Sequence, residues 1–292
     1  MHLDGRYILL TGFLVVGCGF LWRWFSLERT AGGMRRPRLA DVLIGFVTNF
    51  FDALGIGNFA PTTAVFKLQR RMPDEDIPGT LNVGHALPCV IEALIFLALV
   101  TVDVTTLLAM ILAAVLGAWL GAGIVARAPR RIIQLGMGIA LLAAAALMLA
   151  KNLAWLPAGG EALGLKGATL AFAVDVNSVL GALMMLGVGL YAPCLILVSL
   201  LGMSPLAAFP IIMGSCALLM PVGGVRFVRT RRYNPAAALG LTLGGIPGVL
   251  CAAFIVRSLP LVWLRWLVVI VVMYAAALML VSGRRTLDER RG

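Results

Sequence analysis

The chain has 292 residues, 61% of them hydrophobic and 13% charged, with a mean hydropathy of +0.99; a soluble globule cannot hide that much apolar surface, so this reads as a membrane protein. Its formal charge of +11 sits in short loops between apolar segments, which argues for orientation in a lipid bilayer and against a nucleic-acid partner. Cys18, Cys89, Cys194, Cys216 and Cys251 all fall in apolar segments without ligand spacing; they read as packing residues, and no disulfide, metal or cofactor is expected.

The first apolar run, from Tyr7 to Phe25, lacks the basic leader and small-residue cleavage site of a signal peptide and ends in Trp22-Arg23-Trp24. It is expected to be a retained helix standing outside the core fold. With it at 7–24, spans of about 20 apolar residues follow at 80–101, 104–126, 131–150, 206–228, 235–256 and 260–282. Two longer stretches, 40–69 and 168–202, are interrupted, one by GIGNFAP (55–61) and the other by GVGLYAP (187–193).

Loop charges separate two ways of threading the bilayer. If each interrupted stretch is a hairpin returning to its own side, the chain crosses seven times and 19 of the 24 basic residues lie in the cytoplasm, in groups at 23–38, 67–71, 127–131, 226–232 and 284–291. If each stretch crosses once, there are nine crossings and only 15 basic residues inside. The hairpin arrangement is preferred, with the N-terminus outside and the C-terminus inside.

One hairpin plus three crossings makes an odd number of crossings, so a second copy must insert upside down. Duplication is supported by the two breaks 132 residues apart, by Val83-Gly84-His85-Ala86 against Met213-Gly214-Ser215-Cys216, by VARAP (125–129) against VRSLP (256–260), and by ALML at 146–149 and 277–280. The expected fold is therefore an all-α polytopic membrane protein with an inverted structural repeat. Residues 1–38 form the extra N-terminal transmembrane helix and basic loop, 39–151 the first repeat and 166–283 the second, each repeat a re-entrant or broken-helix hairpin plus three transmembrane helices in a single membrane domain.

Non-helical backbone survives at membrane depth only when buried in protein or facing a wet cavity. In each break glycines release one helix and a proline suits the first turn of the next, whose unpaired N–H groups and positive dipole end point at the break. Inversion brings the two N-termini toward a common point at the midplane, an arrangement suited to a small anion. Close helix packing at the glycines is the competing explanation.

The expected substrate contacts are Gly57, Asn58, Phe59, Ala60, Pro61, Thr62 and Thr63 in the first break and Gly189, Leu190, Tyr191, Ala192, Pro193 and Cys194 in the second. Asn82, His85 and Ser215 join them from the helices that follow. Asn82, His85 and Glu92 fall at i, i+3 and i+10, on one helix face. Glu92 reads either as a proton-coupling site or as a structural interhelix hydrogen bond, and His85 either as an anion donor or proton relay or as a satisfied packing histidine. Asp52 opposes an anion unless neutralised, which makes it a further coupling candidate. The orientation of Asp175 and Asn177 is left open.

The blocks DALGIGNFAPTTAVFKL (52–68), IPGTLNVGHALP (77–88), GVGLYAPCLILVSLLGMSPLAAFPIIMGSC (187–216) and YNPAAALGLTLGGIPGV (233–249) resemble the TauE/SafE family of sulfite and organosulfonate exporters. The resemblance runs from about residue 39 onward. It implies a multispan permease of the bacterial cytoplasmic membrane, with two related halves, that moves small sulfur-containing oxyanions such as sulfite or sulfoacetate outward. The functional expectation is a secondary transporter working by alternating access, with or without proton coupling; the alternative is an anion channel of the same architecture. No HExxH or Gly-x-Ser-x-Gly motif and no nucleotide-binding loop occurs, so neither an enzyme nor an ATP-driven pump is expected. The oligomeric state, homo-oligomer included, stays open.

Overall fold

In hydrocarbon a chain must satisfy its own backbone N–H and C=O groups, and apolar segments of this length do so as helices. The structure, a computed structural model, describes residues 3–155 and 159–255 together with 273, 277, 280 and 281. They form eleven α-helices in chain order: α1 Leu3–Arg29, α2 Leu39–Ala53, α3 Phe59–Leu68, α4 Ile77–Gly84, α5 Ala86–Leu99, α6 Val104–Val125, α7 Arg130–Asn152, α8 Gly167–Met184, α9 Tyr191–Leu200, α10 Pro205–Thr230 and α11 Pro235–Ile255. Seven segments are long and apolar enough to cross a membrane: Tyr7–Arg29, Asp74–Leu99, Val104–Val125, Arg130–Leu147, Gly167–Met184, Pro205–Thr230 and Pro235–Phe254. The protein is an all-helical, multi-pass membrane protein. Gly167–Met184, the first arm of the second interrupted stretch, reaches spanning length by itself, whereas the span expected at 260–282 lies almost wholly outside the described residues.

The segment read as one helix over 80–101 is divided at His85 into α4 and α5. The cause is Pro88, which has no N–H to give the carbonyl of Gly84. Thr242 on α11 supplies the missing donor, its hydroxyl 2.8 Å from that oxygen.

Two helix pairs are joined by glycines where backbones touch. A Cβ on Gly244 of α11 would stand 1.8 Å from the Val42 carbonyl oxygen of α2, and one on Gly117 of α6 would stand 1.8 Å from that of Ser178 on α8. Small residues let membrane helices gain dispersion contact where lipid offers no hydrophobic drive. The first arm of each interrupted stretch, α2 and α8, is thus held by a helix from the other half of the chain.

α1 is attached by more than lipid-level contact, since its Phe13, Phe20 and Trp24 lie in the hydrophobic core cluster. The Trp24 indole donates to the Tyr233 hydroxyl at 3.0 Å, Tyr233 donates to Glu28, and Glu28 also pairs with Arg231. Burial, reinforced by the bond to Glu28, raises the Tyr233 hydroxyl above the ordinary tyrosine range.

Charges collect at this same end. Asp74 accepts from Lys67 Nζ at 2.6 Å and from Gln134 Nε2 at 2.7 Å, with Arg130 at 3.9 Å. Arg71, just after α3, pairs at 3.1 Å with Asp41 in the first turn of α2. The other end is tied by backbone: Gly160 N–H bonds the Met203 carbonyl, Ser204 N–H bonds that of Ala162, and Leu165 N–H bonds the Thr106 hydroxyl at 2.9 Å.

Asp103 caps α6 there by accepting from the Thr106 backbone N–H at 2.8 Å, which chiefly lowers its carboxyl below the usual range. Because the folded-state value is the lower one, the cap's contribution is full above the unfolded carboxyl value of about 4 and fades as pH falls through the folded value. Asp103→Ala should therefore lower thermal stability in detergent at pH 7 by about 1 kcal/mol. That deficit should shrink on acidification to about pH 3; an equal deficit at both pH values would remove the cap as its cause.

Candidate substrate site at two helix breaks

The first arm of each interrupted stretch ends in the same way. Gly55 N–H bonds the Asp52 carbonyl and Ile56 N–H that of Phe51; 132 residues on, Gly187 N–H bonds the Met184 carbonyl and Val188 N–H that of Leu183. Both are Schellman terminations, with the left-handed position filled by Gly55 (φ +88) or Gly187 (φ +94). The second arms also end alike, through the paired bonds of Arg70 and Arg71 to Lys67 and Phe66 and those of Gly202 and Met203 to Ser199 and Val198.

At the start of α3 the Thr62 N–H is the first to find a carbonyl in its own helix, that of Asn58; at the start of α9 it is Cys194, bonded to Leu190. Pro61 and Pro193 stand third in their ten-residue helices. The N–H groups of Phe59, Ala60 and Ala192 therefore lack intrahelical acceptors.

The structure brings the two breaks into contact. A Cβ on Gly189 would lie 3.5 Å from Cβ of Phe59, one on Gly57 would lie 3.7 Å from Cβ of Tyr191, and one on Gly55 would lie 2.6 Å from the Tyr191 hydroxyl oxygen. The first residue of each second arm thus packs on glycine in the opposite break, and the Tyr191 ring reaches on to Gly55. Between them lies a cavity of about 20 Å³ lined by Gly57, Asn58, Phe59, Gly189, Leu190 and Tyr191, and also by Asp52, Cys89, Met184, Ile212, Met213 and Cys216. It holds about one water-sized sphere. Ala60, Pro61, Thr62, Thr63, Ala192, Pro193, Cys194, Asn82, His85 and Ser215 are not among the residues that line it.

His85 is held by a closed network. Thr62 Oγ1 donates to the Asn58 carbonyl at 2.7 Å, so toward His85 Nε2, 3.2 Å away, it accepts. Asn49 Nδ2 reaches both the Gly45 carbonyl at 2.7 Å and His85 Nδ1 at 2.9 Å, while Asn49 Oδ1 accepts from Asn58 Nδ2 at 3.0 Å. Every donor is used once if His85 is neutral with its proton on Nε2. Both ring nitrogens are thereby committed to Asn49 and Thr62, which fix Asn58 at the cavity.

The three residues read on one helix face meet different neighbours. Asn82 Nδ2 donates to the Pro78 carbonyl at 2.9 Å and leans on that of Met184 at 3.4 Å. Glu92 is fully buried, and its two oxygens face Asp52 and Cys89 with no donor from elsewhere in the protein. A Glu92 oxygen, an Asp52 oxygen and the Cys89 sulfur all lie within 4.8 Å of one another, the one group among the described residues with the donors to hold a metal ion. Thr63 Oγ1 and Ser215 Oγ are buried without hydrogen-bond partners. Asn177 is buried and bonded to the Met110 carbonyl at 2.7 Å, while Asp175 is exposed.

Sequence reasoning passed over Asn49, Cys89, Met213 and Cys216. Asn49 stands three residues before Asp52, and Cys89 one turn beyond His85; Met213 and Cys216 bound the block matched to Val83-Gly84-His85-Ala86. Those spacings were the available signal.

Membrane-length helices enclosing a cavity between two broken ones define a multi-pass membrane permease. The family model of the sulfite exporter TauE/SafE matches residues 2–148, half of the chain, and the protein belongs to that family. The match takes in α1 and the first break, so the helix that the sequence blocks left outside lies within it. No curated protein and no solved structure matches this chain.

Proposed function

We propose that the protein is a secondary transporter of the bacterial cytoplasmic membrane that exports a small sulfur-containing oxyanion, sulfite or an organosulfonate such as sulfoacetate, by alternating access. The observation that carries this reading is the reciprocal contact of two identically terminated helix breaks around one cavity. The anion is bound by the N–H groups of Phe59, Ala60 and Ala192, with the Asn58 side chain at the cavity and the unpartnered Thr63 hydroxyl as further contacts. A cavity of about 20 Å³ favours a carrier over a channel, because an oxyanion needs more room than one water-sized sphere and enters only when the lining parts.

The inverted repeat forms part of this proposal. The Arg71–Asp41 ion pair supports a first hairpin that returns to its own end. The pairing of 160–166 with 202–204 and Thr106 supports a second hairpin from the opposite end. The exchange of arms, α2 onto α11 and α8 onto α6, is what a two-fold axis in the membrane plane would generate. Positive-inside placement then puts the Lys67–Asp74 end in the cytoplasm, with the N-terminus outside and the C-terminus inside.

An inside-negative potential favours anion export by about 2.3 kcal/mol per charge per 100 mV, so the reading does not require proton coupling. Of the groups expected to couple, His85 is committed to the scaffold, and Asp52 with Glu92 is where charge opposing the anion must be neutralised. The test is counterflow in liposomes with sulfite, sulfoacetate, thiosulfate, sulfate and chloride, comparing the wild type with Thr63→Val. Saturable counterflow of a sulfur oxyanion, weakened on the order of tenfold in the variant, is expected. Conductance that does not saturate would favour the channel, and an unaffected variant would move the site away from the first break.

A further inference from the structure

We propose that Asp52, Cys89 and Glu92 form a binding site for a borderline-soft divalent metal cation of the zinc type in the wall of the cavity between the breaks. Cys89 and Glu92 stand at i and i+3 on α5, so one helical turn presents both in the same direction. Asp52, in the last turn of α2, supplies the third donor. Two ligands at i, i+3 on one helix facing a carboxylate from another is how metal sites are assembled inside helical bundles.

The donor atoms already lie within 4.8 Å of one another. Zinc holds oxygen at about 2.0–2.2 Å and sulfur at about 2.3 Å, so side-chain adjustments of roughly an ångström close the set. All three residues are buried, with exposures of 4%, 1% and 0%.

The independent indication is Glu92, whose two oxygens are enclosed and meet no donor outside this cluster. A carboxylate without a counter-charge is costly in such surroundings, and a second carboxyl beside it adds repulsion. Among the described residues no lysine or arginine lines the cavity to offset them. A divalent cation would balance both carboxylates. The sulfur selects the class of ion: mixed thiolate and carboxylate donors suit zinc and its neighbours, whereas magnesium and calcium take oxygen alone. Three protein donors leave a fourth tetrahedral position, and Asp52 and Cys89 both line the cavity, which places that position toward it.

The test uses the full chain purified in detergent, stripped with a chelator and titrated with Co²⁺ as an optical probe, followed by competition with Zn²⁺. About one Co²⁺ per chain is expected, with a sulfur-to-cobalt charge-transfer band displaced by Zn²⁺. The band should vanish in Cys89→Ser, and affinity should fall at least about tenfold in Glu92→Gln, while Cys251→Ser binds as the wild type does. Glu92→Gln keeps the side chain's size and removes a buried charge, so it serves as the variant expected to fold, checked by monodisperse gel filtration. Absence of stoichiometric binding to well-folded protein, or binding unchanged in both Cys89→Ser and Glu92→Gln, would overturn the proposal and leave protons as what neutralises the two carboxyls. The readout needs no transport, so its outcome is separate from the fate of the anion-carrier reading.

Discussion

Asp74→Ala is expected to destabilise the folded protein by about 3–5 kcal/mol. The Asp74 and Lys67 side chains are 7% and 12% exposed and meet at 2.6 Å, and the same carboxylate oxygen accepts from Gln134. Removing it strands the Lys67 ammonium in a position that water reaches poorly. The cost comes from the orphaned partner rather than from the worth of the pair, so the double variant Lys67→Met/Asp74→Leu should recover most of the loss. Thermal unfolding in detergent of Lys67→Met, Asp74→Leu and the double variant completes the cycle. A loss below about 1 kcal/mol in Asp74→Ala would mean that the pair behaves as a solvent-screened surface bridge.

The second large effect is expected at the helix contacts. In Gly244→Val the new Cβ would need space 1.8 Å from the Val42 carbonyl oxygen and 2.8 Å from the Phe46 nitrogen, both backbone atoms that no rotamer change can move. α2 and α11 must then separate. We expect a loss of at least about 3 kcal/mol, at or beyond the upper range for overpacking, together with impaired transport, because α2 carries Asn49 and Asp52 to the cavity. Gly12→Val is the matched control, since a Cβ there meets nothing within 4 Å. Equal stability of the two variants would show that the glycine contact is not what joins these helices.

The sequence made the breaks legible because they violate what hydrocarbon demands: GIGNFAP and GVGLYAP put glycine where a helix should continue, and the structure ends α2 and α8 at those places. The spans were legible for the same reason, through the length of their apolar runs. Partner choice was not. Nothing in the spacing of Pro88 tells that Thr242, 158 residues from Gly84, will occupy the carbonyl it abandons. Asn82, His85 and Glu92 share a face by periodicity, yet periodicity does not say which neighbour that face meets. Cys89 and Cys216 resembled the packing cysteines around them because thiols are as common in apolar cores as in sites. Only their convergence with Asp52 in space sets them apart.

The clasp that fastens α1 also sets an order of assembly. Glu28 is made early, but its partners Arg231 and Tyr233 lie 203 and 205 residues further along the chain. At synthesis rates of about 5–20 residues per second, roughly 10–40 s pass before they emerge. During that interval α1 sits in the bilayer with an unmatched carboxylate and an indole without its acceptor. α1 can therefore take its final seat only after both breaks have been made, so a helix made before either of them is fixed after both, and a chain truncated before Arg231 leaves it unlatched.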